Sequence, residues 1–124
     1  MRFTIKGALP GMNEVIASAK QHWSKYRVAK HGGMLLACAG IREAKKKKEP
    51  LGEGPYAFSF THFTSDRRKD PDNIAGGAHK IIFDALQDEE VLENDGWKQV
   101  ASIHDRFFVD KDNPRIEVEI VEVQ

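Results

Sequence analysis

The sequence has a single cysteine, Cys38, which rules out an internal disulfide. It has no apolar run long enough to span a bilayer, and its first residues, MRFTIKGALPG, lack the apolar core of a signal peptide. Together these features lead us to expect a protein of the reducing cytoplasm. Net charge is also missing: 19 Lys and Arg cancel 19 Asp and Glu, so no global attraction to nucleic acid or to an acidic surface follows. There is no Gly-x-Ser-x-Gly, no His-Glu-x-x-His and no glycine loop ending in Lys-Ser/Thr, which excludes the common serine hydrolase, zinc peptidase and nucleotide-loop arrangements. His22, His31, His62, His79 and His104 show no ligand spacing and read as structural or surface residues. Trp23 and Trp97 read as core or interface residues.

What is present suits one compact domain, residues 1–124. Apolar residues make up 40% of the chain, and seven phenylalanines can fill a core, while 31% charged residues keep the surface polar. The cancelled charge is sorted along the chain. Lys20 to Lys48 carries a run of bases against one acid, Glu43, and Asp84 to Asp95 carries only acids, so we expect an electrically two-faced molecule.

Period-two and helical patterns alternate. Arg2 to Lys6 reads as a strand with Phe3 and Ile5 on one side, stopped by Gly7 and Pro10-Gly11. Val15, Ala19 and His22 keep helical spacing up to Trp23. A second run after Gly32-Gly33 places Met34, Leu35, Cys38 and Ile41 on one stripe, so two helices or one broken helix are expected. That run ends in Lys45 to Lys48 and Pro50, as a helix C-terminus should. Tyr56, Phe58 and Phe60 alternate as a half-buried strand whose core portion ends at His62 or Phe63. Ile116, Val118 and Ile120 form another strand with an acidic outer face, and Val100 to Val109 is expected to be its hairpin partner. The intervening Asp110 to Pro114 is turn chemistry.

The chemically informative stretch is Asp66-Arg67-Arg68-Lys69-Asp70-Pro71-Asp72-Asn73. Pro71 constrains the backbone between two aspartates, so their carboxylates can converge on one hard cation such as magnesium, whose retained water serves phosphoryl chemistry. Asp72 or Asn73 equally suits a helix N-cap. In the helix that follows, Ile74, Ala78, Ile81, Ile82 and Ala85 make an apolar stripe, and Asn73, Gly77, Lys80 and Asp84 form a second line beside it. A surface ion pair between Lys80 and Asp84 explains those two residues as well as a role in chemistry does. Further on, Asn94-Asp95-Gly96 is a turn. Were Asp95 to meet Asp70 and Asp72, each pair at about 4 Å would repel by roughly 4 kcal/mol at an effective dielectric of 20, a cost that a cation relieves.

The ordered set Asp70-Pro71-Asp72-Asn73, Lys80, Asp84-Ala85-Leu86 and Asn94-Asp95 resembles the RusA family of Holliday junction resolvases. In the best-known form of that family the lysine lies four residues beyond the second aspartate, where this chain has Gly76. Counting back from Asp84-Ala85-Leu86 assigns it to Lys80. Asn94 stands where some members have a further aspartate. The resemblance implies an α+β homodimer with a small mixed sheet packed with helices, which binds four-way DNA junctions and makes paired incisions in recombination and repair. It implies Mg2+ held by Asp70, Asp72 and Asp95, Lys80 as the essential base, and Asn73 and Asp84 around them. Arg67, Arg68, Lys69, Lys45, Lys46, Lys47 and Lys48 are expected to hold flanking phosphates. Two other readings remain open at this point: a non-catalytic DNA-binding protein, and a nuclease of similar chemistry acting on flaps or forks.

Overall fold

The alternating apolar segments assemble into one four-stranded mixed sheet with helices on one face. The computed structural model describes residues 1–21 and 23–123, and the side chains of all of these except 18–29. Expectations resting on His22 and on the side chains of Ala19 and Trp23 therefore lie outside the described residues. The chain runs β1 (Arg2–Lys6), α1 (Met12–Gln21), α2 (Trp23–Lys46), β2 (Tyr56–Thr64), α3 (Pro71–Asp88), β3 (Val100–Val109) and β4 (Arg115–Glu122). This is the α+β arrangement that the resemblance implies.

The sheet order is β1-β4-β2-β3. β2 lies inside it because its alternating face is entirely apolar or aromatic: Tyr56, Phe58, Phe60 and His62 are all buried. β4 pairs antiparallel with both β1 and β2, and Ile116, Val118 and Ile120 continue the same buried layer. α3 covers that layer with Ala78, Ile81, Ile82, Phe83, Ala85 and Leu86. Ile74, on the expected stripe, is only half-buried.

Three expectations need correction. β3 is not the hairpin partner of β4; it pairs in parallel with β2, and β2 lies between the two. β2 is the strand with a continuous buried face, whereas β3 is exposed along most of its length and so takes the edge. The five-residue turn from Asp110 crosses the end of β2, where the Asp110 amide donates to Thr64 O at 2.8 Å. As turn chemistry predicts, the Asp110 carboxylate accepts from the Asn113 amide and from Arg115. Second, Gly32-Gly33 does not break the helix; α2 runs through it. Gly33 is buried where a Cβ would stand 2.7 Å from Ile81 Cδ1, so its role is close packing of α2 on α3. Third, the basic and acidic runs do not form two separate faces. They meet across the α2–α3 contact, with Lys30 2.9 Å from Asp84 and Arg42 2.9 Å from Glu89.

Candidate active site

β2 ends at Thr64, and a short loop leads into α3. Thr64 Oγ1 donates to Asp66 O at 2.7 Å, and the Arg68 amide donates to the Asp66 carboxylate at 3.0 Å, so the loop is internally braced. α3 starts at Pro71, which occupies its first turn with a preset backbone angle. The N-cap is thus Asp70, at φ −70° and ψ 150°, in place of Asp72 or Asn73. Its carboxylate makes no capping hydrogen bond. Asp72 sits in the first turn, exposed, with Oδ1 accepting from the adjacent Asn73 amide at 2.9 Å. Two exposed carboxylates therefore flank the positive end of a helix, where their charge is favoured and a phosphate would be too.

Asn73 turns away from them: its Oδ1 accepts the Asn13 amide at 2.7 Å and ties α1 to α3. Gly77, next on the expected second line, is buried against the β1–α1 turn, where a Cβ would meet Pro10 O at 2.1 Å. Arg67, Arg68 and Lys69 are exposed on the loop, Lys69 in an ion pair with Glu14. A cleft of ≈ 290 Å³ opens beside them, between Gly7–Leu9, the end of β2 and the start of α3.

Asp95 is not at this end of the molecule. It lies between Leu92, whose amide bonds back to Leu86 O, and Gly96, whose carbonyl accepts the amides of Gln99 and Val100. Gln99 O in turn accepts the amide of Tyr56, the first residue of β2. The length of β2 separates that point from Thr64, a span of about 26 Å at roughly 3.3 Å per residue. Accordingly, among the described residues Asp70, Asp72 and Asp95 do not form a group of three converging ligand atoms. Lys45 to Lys48 share the Asp95 end: Lys45 Nζ donates to Glu89 O just past α3, and Glu49 accepts the Arg2 amide. Lys80 lies between the two ends, exposed on α3 about 12 Å along the axis from Asp72 and 3.8 Å from Asp84.

The family model for endodeoxyribonuclease RusA matches residues 12–121, nearly the whole chain and every residue named above as a site. The chain belongs to the RusA family. No curated protein matches it. RusA proteins are endodeoxyribonucleases that resolve Holliday junctions, so this one is an enzyme acting on branched DNA, and a purely structural DNA-binding role is set aside. Within this RusA chain no helix among the described residues is long and apolar enough to cross a membrane.

One feature of this RusA chain escaped the sequence reading. His62 on β2, His79 on α3 and Asp105 on β3 meet at one carboxylate oxygen: Asp105 Oδ1 lies 2.7 Å from His62 Nε2 and 2.9 Å from His79 Nε2. His62 is only 1% exposed, and burial pushes its imidazole below the usual histidine range despite the carboxylate beside it. Separations of 17 and 26 residues along the chain left no spacing signal. The available clue was a histidine ending the buried face of an otherwise aromatic strand. Trp97, expected in a core or an interface, is 92% exposed, so it is no part of this chain's core.

Proposed function

We propose that this RusA endonuclease works as a homodimer, cutting four-way junctions with Mg2+ at two sites that each draw on both copies. The observation that carries this reading is the separation of Asp95 from Asp70 and Asp72 by the length of β2. A second copy related by a twofold axis supplies the missing carboxylate. β3 is an open edge with apolar side chains on both faces, Ile103 and Phe107 on one and Phe108 on the other, all substantially exposed. Antiparallel pairing of two such edges sets the start of one β3 against the end of the other. Asp95 of the second copy then comes to the end that holds Asp70 and Asp72.

The donor set fits the ion. Three carboxylates offer hard oxygen ligands, and the side chain of Asp70 is left uncommitted by its own helix. Bound Mg2+ would supply polarisation of the scissile phosphate and a water of lowered pKa. The chain's own residues position the DNA. The amide end of α3 faces the phosphate, and Arg67, Arg68 and Lys69 hold its neighbours on the same side. Lys80 reaches a phosphate farther along α3. Gly76, where the best-known family form has its lysine, is half-buried against Met12 of α1, so a long cation at that position would meet α1 instead of solvent. Lys45 to Lys48 join the basic track only through the second copy, because within one chain they lie at the far end. A twofold dimer matches the near-twofold symmetry of a four-way junction and accounts for paired incision in recombination and repair.

The test is cleavage of a labelled four-way junction, a flap and a linear duplex, with Mg2+ or chelator. Asp70→Asn should bind the junction normally and lose cutting; wild-type-like cutting by that variant removes Asp70 from the mechanism. Preference for the flap would reassign the substrate while leaving the chemistry intact.

A further inference from the structure

We propose that His62, His79 and Asp105 form a second metal site, separate from the aspartate centre and suited to a first-row transition ion such as Zn2+ or Co2+. Three observations converge on it. The ligand atoms, two imidazole nitrogens and a carboxylate oxygen, all lie within 4.8 Å of one another and come from three different elements. For an ion about 2.1 Å from each donor, the separations of 2.7 and 2.9 Å correspond to angles of about 80° and 87° at the metal. Each imidazole nitrogen thus stands close to the angle of a neighbouring octahedral position relative to the carboxylate oxygen, and two histidines with one carboxylate are a donor set that leaves other positions open.

The rings are also held in place. His62 stacks on Phe107 with centroids 4.9 Å apart and planes at 11°, and His79 packs on Phe60 at 4.8 Å. His62 presents Nε2 to the cluster, while its Nδ1 is buried and has no hydrogen-bond partner among the described residues. An entry path exists on the other side, since the side chains of His79 and Asp105 keep 24% and 18% of their exposure.

The donor set separates this site from the Mg2+ centre. Imidazole nitrogen selects Zn2+, Co2+ or Ni2+, whereas an all-carboxylate site suits Mg2+. Distance separates them too: His79 lies two helical turns beyond Asp72, about 10 Å along the axis. An ion here would staple β2, β3 and α3 together directly behind the loop that carries Asp70, without touching the reacting phosphate.

The experiment is equilibrium dialysis and calorimetry of the full chain with Zn2+ alone and Co2+ alone, in the presence of excess Mg2+. One ion per chain should bind in the micromolar range or tighter, raise the melting temperature and, for Co2+, give a visible absorption band. His79→Gln and Asp105→Asn should each weaken binding by at least about tenfold. The double variant Asp70→Asn, Asp72→Asn should leave it unchanged. Absence of stoichiometric Zn2+ binding by the wild type overturns the proposal. So does binding that survives His79→Gln with its fold intact, or binding that disappears with the two aspartates. Because the wild-type measurement is decisive alone, a variant that fails to fold does not shelter the idea.

Discussion

The two ends of the sheet are built on different principles. At the end holding Asp70 and Asp72, order comes from close backbone packing: Gly77 lies against Pro10 and Gly11, and Asn73 holds the α1 backbone. At the end holding Asp95 and the lysine run, backbone hydrogen bonds in the loop after α3 are joined by ion pairs, Arg42 with Glu89 and Lys46 with Glu43. The first kind of contact fixes a position to tenths of an ångström, and the second tolerates movement. A metal site needs the first kind for its permanent ligands. The second suits a surface that meets another molecule, and placing Asp95 there fits a residue delivered to a site in a second copy.

The largest effect expected from this contrast is genetic complementation in the test tube. Asp70→Asn and Asp95→Asn should each lower junction cleavage on the order of 10²- to 10³-fold, the usual cost of removing one preorganised charge-stabilising group. Mixed and allowed to exchange subunits, the two inactive proteins form heterodimers in which one site pairs an intact Asp70 with an intact Asp95. Half the dimers carry one good site of two, so about a quarter of wild-type site activity should return, as single-strand nicks. If all three aspartates acted within one chain, every site in the mixture would stay damaged and no activity would return.

How much of this was legible in the sequence depends on the range of the interaction. β1, the buried face of β2, α3 and β4 follow from local period, because each buries one stripe and the stripe is written in consecutive residues. Asp70-Pro71-Asp72 was legible as the entry to a helix, but the cap is Asp70 where the residue types pointed to Asp72 or Asn73. The neighbour of β3 was not legible, since strand order depends on which of several strands buries most, a comparison across the whole chain. Gly33 looked like a breaker because the sequence carries no record of Ile81 pressing on it from α3. The aspartate set is a proposal carried by family resemblance, and residue order does not say that Asp95 lies a strand's length from Asp70 and Asp72. The His62, His79 and Asp105 cluster is assembled by pairing β2 with β3 and laying α3 on top, so only the folded chain contains it.

Two glycines sharpen the contrast at an intermediate scale. In Gly77→Ala the added Cβ meets backbone atoms that cannot rotate away, and overpacking of that kind costs about 1–3 kcal/mol, more than the helix propensity that alanine restores. Gly32→Ala in α2 has open space around the new Cβ and should stabilise by about 0.5–1 kcal/mol. Urea unfolding midpoints should therefore move in opposite directions, with Gly77→Ala also slowing cleavage through the displaced start of α3. Equal shifts in the same direction would mean that the close approach of Gly77 to Pro10 and Gly11 carries no cost.

The smallest effect belongs to the ion-paired end and appears as pH dependence. Two hydrogen bonds from Arg42, at 2.9 and 3.0 Å, hold the Glu89 carboxyl below its ordinary value. A depressed carboxyl binds fewer protons in the folded state than in the unfolded one, so its contribution is complete above the ordinary value of 4.5 and fades as pH falls through the lower folded value. Glu89→Gln should consequently unfold slightly more easily than wild type at neutral pH, and the two should converge in acid. High salt should narrow the neutral difference, because the Arg42 side chain is 65% exposed and its charge is readily screened. A gap that persists in acid and in salt would mean that Glu89 acts by packing at the end of α3, and the two ends of the sheet would then be held by the same kind of force.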